Sequence, residues 1–256
     1  MTDSWTVVGA WGPFPAPGGA LRGHLLRQTG AGELLVGCGS GVAGRMEYHV
    51  GAWSDLAAVL LPDLHPAHTS DLHALGTLCL SLAQRRLRRG LLAAYGPVAD
   101  AGFRGLTRPG ILDPRGVGPG DEMRVGGWHV RWGAAGRGAL PLRLAGAAGQ
   151  AALLPAGIPL AEQTAFVAGA GLLVVECADP DGDGLPEDAL ATAHAAGRLA
   201  AAAAARVLLL THLDPSADAG AVVAAARASF PSAQLALEGR TYDIPPPGTG
   251  SASPPA

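Results

Sequence analysis

The chain has 256 residues, 48% hydrophobic and 15% charged, enough for one large domain with a substantial core. Its formal net charge of −3 is too close to neutral to mark a nucleic-acid or membrane partner. All 18 basic residues are arginine, the bias of a GC-rich coding sequence that also inflates Ala, Gly and Pro, so alanine is weak evidence for helix here. Cys38, Cys79 and Cys177 form no CxxC pair and read as buried reduced thiols of a cytoplasmic protein. No basic segment precedes an apolar core at the start, so no signal peptide is expected. No run approaches roughly 18 continuous apolar residues, so no membrane span is expected.

In chain order, residues 6–11 read as a first strand, followed by a Gly/Pro loop over 12–19 and a second strand near 24–27. A third strand, 33–36, ends in the glycine-rich turn 37–41. Residues 57–61 are continuously apolar, which suits a strand buried on both faces. A helix is expected over 70–89, capped by Thr69 or Ser70, with Asp71 in its first turn, the arginines of 85–89 at its end and Gly90 as the stop. Residues 91–95 form a strand, and a Gly/Pro-rich segment runs over 96–120. Short strands follow at 123–132, 140–144 and 150–154. Then come a helix at 160–168, a buried strand at 172–177, a long helix at 186–205, a strand at 207–210, a helix at 217–229 and a last strand at 235–238. Residues 1–244 are read as a single domain, and the Pro/Gly/Ser-rich residues 245–256 as a disordered tail. Strands dominate the first half and alternate with helices in the second, the order of a layered α/β protein.

The most informative stretch is 58–72, in which a buried strand leads to Asp63-x-His65-x-Ala67-His68 and then to a helix. It resembles the His-x-His-x-Asp-His signature of the metallo-β-lactamase superfamily with key positions replaced. Other landmarks run in family order: Gly23-His24-Leu25-Leu26, the turn at 34–41, Tyr95-Gly96-Pro97, Leu172–Glu176, and Leu208-Leu209-Leu210-Thr211-His212-Leu213. Together they resemble the ribonuclease Z-like and cyclic-nucleotide-phosphodiesterase-like branch. The resemblance implies an αββα sandwich with a site at one edge. There, two metals about 3.5–4 Å apart would activate a bridging hydroxide against a phosphodiester.

Position by position, the resemblance implies that the first signature histidine is replaced by Asp63 and the signature aspartate by Ala67, while His65, His68 and His212 are kept. A later histidine would fall near Ala135, and nothing from 132 to 193 is a histidine. The turn expected to carry the bridging aspartate is Pro155-Ala156-Gly157-Ile158, and Gly37 stands at another aspartate position. His65, with Asp63, remains for one metal, and His68 with His212 for the other. Each falls short of the three protein ligands usual for a catalytic zinc. A composite site of Asp63, His65, His68 and His212 holding a single zinc or manganese ion is the alternative to leftover polar residues in a partly solvated cleft. Glu176, Asp179 and His194 are candidate substitutes for a lost ligand.

Other motifs carry less. Residues 179–184 resemble the start of a calcium loop, but Leu190 stands where its twelfth-position acid belongs. The turn 37–41 lacks the GK[ST] of a phosphate loop, and Ser40 lacks a nucleophile elbow. Asp71 is read as structural, His73 as a surface residue, and Arg85, Arg86, Arg88 and Arg89 as a solvated helix end. The leading expectation is a metallo-β-lactamase-fold protein acting by binding a small molecule or protein, as a regulatory relative of a phosphodiesterase. The alternative is a phosphodiesterase-type hydrolase with one metal. Metal-free chemistry in the vacated cleft has no positive support. The resemblance is compatible with a homodimer.

Overall fold

The computed structural model describes residues 2–98, 102–106, 110–134, 136, 138–177 and 192–248. Its first sheet is built from β1 (Ser4–Gly9), β2 (Gly23–Arg27), β3 (Glu33–Val36), β4 (Leu56–Leu60), β5 (Leu92–Pro97) and β6 (Leu112–Val117). The second contains β7 (Glu122–Val125), β8 (Trp128–Trp132), β9 (Leu142–Ala145), β10 (Gln150–Leu154), β11 (Leu172–Glu176), β12 (Val207–Thr211) and β13 (Ala233–Leu235). The chain then returns to the first sheet as β14 (Thr241–Asp243), giving the orders β14-β1-β2-β3-β4-β5-β6 and β13-β12-β11-β10-β9-β8-β7. Each sheet is antiparallel in one half and parallel in the other, the parallel strands being β3 to β6 and β10 to β13.

The layering follows from period-2 alternation within runs that are apolar on both faces. Leu34 and Val36 point between the sheets, where they meet Trp128, Trp132 and Leu142, while Leu35 between them faces the helical side. In β11 the same holds: Leu172 and Val174 face the other sheet, whereas Leu173 and Val175 face the outer helices. Over the first sheet lie α1 (Val42–Arg45), the short α2 (Pro66–Thr69) and α3 (Leu72–Gln84), with α4 (Gly102–Leu106) against β6. Over the second lie α5 (Thr164–Val167), α6 (Ala193–Ala202) and α7 (Ala219–Arg227). This is the αββα sandwich that the resemblance implied. Among the described residues no helix is long and apolar enough to cross a membrane.

Several elements differ from the sequence reading. The helix expected over 70–89 ends at Gln84, because Arg86 adopts a left-handed φ of 61° and closes a Schellman pair, Leu87 N–H to the Leu82 carbonyl and Arg86 N–H to that of Ala83. Arg86, not Gly90, is therefore the stop. Arg88 does not belong to a solvated end: it is buried and its Nη1 donates to the carbonyls of Trp53 and Leu56 at 3.0 and 2.7 Å. A strand, β6, lies inside the Gly/Pro-rich segment. Its Pro114 is tolerated because β6 is an edge strand, where a missing N–H breaks no ladder. Residues 123–132 are two strands, turned by Gly126 and Gly127 at φ 57° and 92°, the positive values a two-residue type I′ hairpin requires. The helix at 160–168 is a 3-10 turn, Leu160–Gln163, running into α5.

Asp3 ties the two sheets together: its Oδ2 accepts from the N–H groups of Ala148 and Gly149 at 2.8 and 2.9 Å. Of the segment read as a tail, Gly248 N–H donates to the Gly169 carbonyl and the Pro245 carbonyl accepts from Gln150. Residues 249–256, Ala135, the calcium-loop-like 179–184 with Asp179, and the expected helix start at 186–191 lie outside the described residues. The three cysteines are buried, and no two of them form a disulfide.

Candidate functional site

The parallel strands β4, β11 and β12 end along one edge of the sandwich, the edge at which α/β sheets gather their functional groups. Beyond β4 the chain makes a tight polar turn in which Asp63 Oδ1 accepts from His65 N–H at 2.9 Å. His65 caps the short α2 that follows, its Nδ1 accepting from Ala67 N–H at 3.2 Å, and it stays exposed. One turn on, His68 is pinned by its carbonyl, which accepts from Cys38 N–H at 2.7 Å, and its ring is buried. β11 ends in Glu176, fully buried. Just past β12, His212 takes a left-handed φ of 66° so that its N–H and that of Leu213 both reach the Ala10 carbonyl. Arg22 enters from the residue before β2.

These groups form one chain of ion pairs. Asp63 Oδ1 lies 2.7 Å from His68 Nδ1, and His68 Nε2 lies 2.8 Å from Glu176 Oε1. Glu176 Oε2 accepts from Arg22 Nη1 at 2.8 Å and from Ala156 N–H at 2.9 Å. Arg22 Nη2 donates to His212 Nε2 at 2.9 Å. His68 faces a carboxylate from each nitrogen, so both nitrogens carry hydrogen. Two carboxylates then balance one guanidinium and one imidazolium, the condition under which buried charge is tolerated.

The environment sets the charges accordingly. Burial works against the charged form of His68, but the Asp63 and Glu176 carboxylates outweigh it and raise the ring to about 9. Burial would also raise Asp63, yet His68 brings it down to about 2. Glu176 is likewise held below its ordinary value, burial being outweighed by Arg22 and His68. Beside the network, His24 is lowered to about 4, chiefly by its complete burial. Both its ring nitrogens, Arg22 Nε and His212 Nδ1 find no hydrogen-bond partner among the described residues.

Of the residues singled out in the sequence, Asp63 and His68 touch, His212 is reached only through Arg22 and Glu176, and His65 stays apart. Glu176 sits at the centre of the network, and His194 lies half-buried in α6. Arg22 and His24 escaped sequence reading. The one available signal was their polarity within Leu21-Arg22-Gly23-His24-Leu25, the entrance of a strand otherwise built for burial. Asp71 holds α1, its Oδ2 accepting from Ala43 N–H at 3.1 Å, and His73 is exposed. Gly37 turns at φ 74°, and a Cβ there would stand 3.0 Å from both His68 Cδ2 and the Arg22 carbonyl oxygen.

The donor set does not suit the metal pair that the resemblance implies. Both nitrogens of His68 already face carboxylates, and His212 Nε2 accepts from Arg22. Among the described residues no three His, Cys, Asp or Glu side chains are placed to hold a metal ion. The loop from Ala156 leads onward to a cleft of about 490 Å³, lined by Arg131, Trp132, Gly133, Glu162, Gln163 and Phe166. The Arg131 guanidinium lies 5.9 Å over the Phe166 ring.

No family model matches the chain. It is 27% identical over 261 residues to the uncharacterized protein ML1173 of Mycobacterium leprae (strain TN), covering 96% of this chain and 90% of that protein. A shorter match, 42% identical over 67 residues, joins it to the probable metallo-hydrolase YhfI of Bacillus subtilis (strain 168), covering 26% of this chain and 27% of YhfI. The crystal structure of YhfI, a metallo-β-lactamase fold protein, superposes with a TM-score of 0.87 at 26% identity, over 95% of this chain and 100% of that one. Human tRNase Z, short form, superposes with a TM-score of 0.72 at 17% identity, over 94% and 99%.

Proposed function

With the metallo-β-lactamase fold of the ribonuclease Z-like branch as its frame, this chain is, we propose, a binding or regulatory relative of the phosphodiesterases and not itself a hydrolase. The single observation that carries the reading is Arg22. Its guanidinium joins Glu176 to His212 at 2.8 and 2.9 Å, inside the edge where hydrolases of this fold carry their chemistry. A hydrolytic site of this type needs a metal-activated water and open coordination positions. Here both nitrogens of His68, both oxygens of Glu176, one oxygen of Asp63 and the Nε2 of His212 are already engaged by neighbouring groups. Asp63, His68, Glu176 and Arg22 bind one another and fix the edge.

The cleft lined by Arg131, Glu162 and Phe166 is the seat this reading offers a ligand. Phe166 supplies flat apolar surface, and Arg131 and Glu162 supply one charge of each sign. A small organic molecule with an aromatic or planar part and a polar end matches that lining. The competing reading, a phosphodiester hydrolase with one metal on Asp63, His65, His68 and His212, requires the exposed His65 to abandon its cap on α2.

The test is metal content of the purified, tag-free protein by elemental mass spectrometry, together with turnover of a chromogenic phosphodiester with and without chelator. The binding reading expects metal well below one per chain and no chelator-sensitive turnover. Robust chelator-sensitive turnover by the wild type would overturn it.

A further inference from the structure

Gln163 lines the cleft of about 490 Å³ and is only 4% exposed, yet its side chain makes no hydrogen bond among the described residues. A buried amide ordinarily has a partner within the fold, so one without it at the wall of a cleft suits a ligand that supplies the partner. Arg131 and Glu162 line the same cleft. The Arg131 guanidinium lies 5.9 Å over the Phe166 ring, a contact that limits its range but leaves its N–H donors open. Glu122 lies 3.8 Å from Arg131, but it is exposed and its other oxygen is held by His129 at 2.8 Å, so that pair is weak. Glu162 makes no ion pair among the described residues.

Phe166 itself is fixed from two sides. Its carbonyl accepts from Arg143 Nη1 at 2.7 Å. Its ring packs so close to Gly133 that a Cβ there would stand 3.0 Å from Cε2 and Cζ. Glu162 and Gln163 come one turn before it in the chain, so cation, anion, amide and ring face one space on a rigid support.

We propose that this cleft binds a free aromatic α-amino acid. Its carboxylate takes the Arg131 guanidinium, a charge-assisted pair of hydrogen bonds. Its ammonium takes the Glu162 carboxylate, and its ring packs on Phe166. The Gln163 amide both donates and accepts, so it can serve either end. A ligand with an anionic end alone would leave Glu162 unpaired, and one with a cationic end alone would leave Arg131 so. A cleft of this volume falls within the roughly 300–1,000 Å³ of small-molecule sites.

The inference rests on the reading of the chain as a binding protein with its ligand in this cleft, but the two fail separately. Amino-acid binding by a protein that also hydrolyses a phosphodiester would remove only the first reading. An inactive protein that binds no amino acid would remove only the inference.

The experiment is titration calorimetry of the wild type with L-phenylalanine, L-tyrosine and L-tryptophan. The comparison compounds are 3-phenylpropanoate, which lacks the ammonium, and phenethylamine, which lacks the carboxylate. At least one of the three amino acids is expected to bind with a Kd of about 1 mM or tighter. Each comparison compound should bind at least about tenfold more weakly, as for a lost charged hydrogen bond. Arg131→Gln and Glu162→Gln, both at exposed positions, should keep the wild-type Tm and weaken amino-acid binding to a similar degree. Gln163→Leu should also fold, since it removes an amide that has no partner in the fold, and should weaken binding.

No binding of any of the three up to about 10 mM, tenfold above the expected Kd, overturns the proposal. So does equal binding of 3-phenylpropanoate or phenethylamine. Binding that survives both Arg131→Gln and Glu162→Gln unchanged overturns it too, because the amino acid then sits elsewhere.

Discussion

The Nε2 of His68 lies 2.8 Å from the Oε1 of Glu176, though the two residues are 108 positions apart in the chain. The contact joins the loop after β4 in one sheet to the end of β11 in the other. Both side chains are almost wholly withdrawn from solvent, at 2% and 0% exposure, so the pair stands or falls with its partners Asp63 and Arg22.

Glu176→Gln would leave the Arg22 guanidinium and the His68 imidazolium without their shared counter-ion. Removing one partner of a buried ion pair costs about 3–5 kcal/mol, because the other charge stays buried. For a chain of this size that corresponds to a Tm lower by roughly 10 °C. Thermal denaturation followed by circular dichroism at pH 7 measures it, and an unchanged Tm would contradict the network.

Two histidines make stability depend on pH in opposite directions. His24 falls from an ordinary 6.5 to about 4, chiefly through burial, so the unfolded chain binds its proton more readily. Its contribution is present above pH 6.5 and is lost as pH falls toward 4, about 3 kcal/mol in all. His68 rises to about 9 because the carboxylates of Asp63 and Glu176 outweigh burial. Its contribution is complete below pH 6.5 and is lost as pH rises through 9. Denaturation between pH 4 and 10 should show a maximum near pH 6.5, and His24→Leu should flatten only the acid limb. An acid limb unaltered in His24→Leu would contradict this assignment.

Gly37→Asp, which restores the residue the resemblance places there, is expected to destabilise. Gly37 sits at φ 74°, a region that costs an L-residue about 1–2 kcal/mol. Its new Cβ would also crowd His68 and the Arg22 carbonyl at 3.0 Å. Urea unfolding should show a loss of at least about 1 kcal/mol. A gain in stability would mean that the turn at 37 relaxes freely.

Among the four arginines of 85–89, only Arg88 should matter for folding. Arg88→Ala leaves the Trp53 and Leu56 carbonyls without their donor, a loss of about 2–3 kcal/mol for charged hydrogen bonds. Arg89→Ala, at an exposed position, should stay within about 0.5 kcal/mol. Equal effects in parallel urea titrations would refute the distinction.

Much of the frame was legible because apolar runs leave little choice. Residues 57–61, 172–175 and 207–210 are apolar on both faces of a strand, so they had to lie between layers, and they fall in β4, β11 and β12. The Asp63-to-His68 stretch was legible too, since short spacing puts its members on one loop. β6 was hidden because Pro114 reads as a strand breaker unless the strand is known to lie at an edge. The end of α3 was hidden because an arginine, not a glycine, takes the left-handed turn.

The sequence by itself thus determined the layers and the two sheets' inner strands, and it placed Asp63, His65 and His68 on one loop. What it could not determine was the partner of each survivor. Arg22 meets His212 across 190 residues and His68 meets Glu176 across 108, both through the convergence of strand ends from two sheets. Local periodicity records which side of a strand a residue faces, but not which distant strand end will face it. Only the tertiary packing, by closing water out of that edge, made Arg22 the cation around which the remaining acids and histidines are arranged.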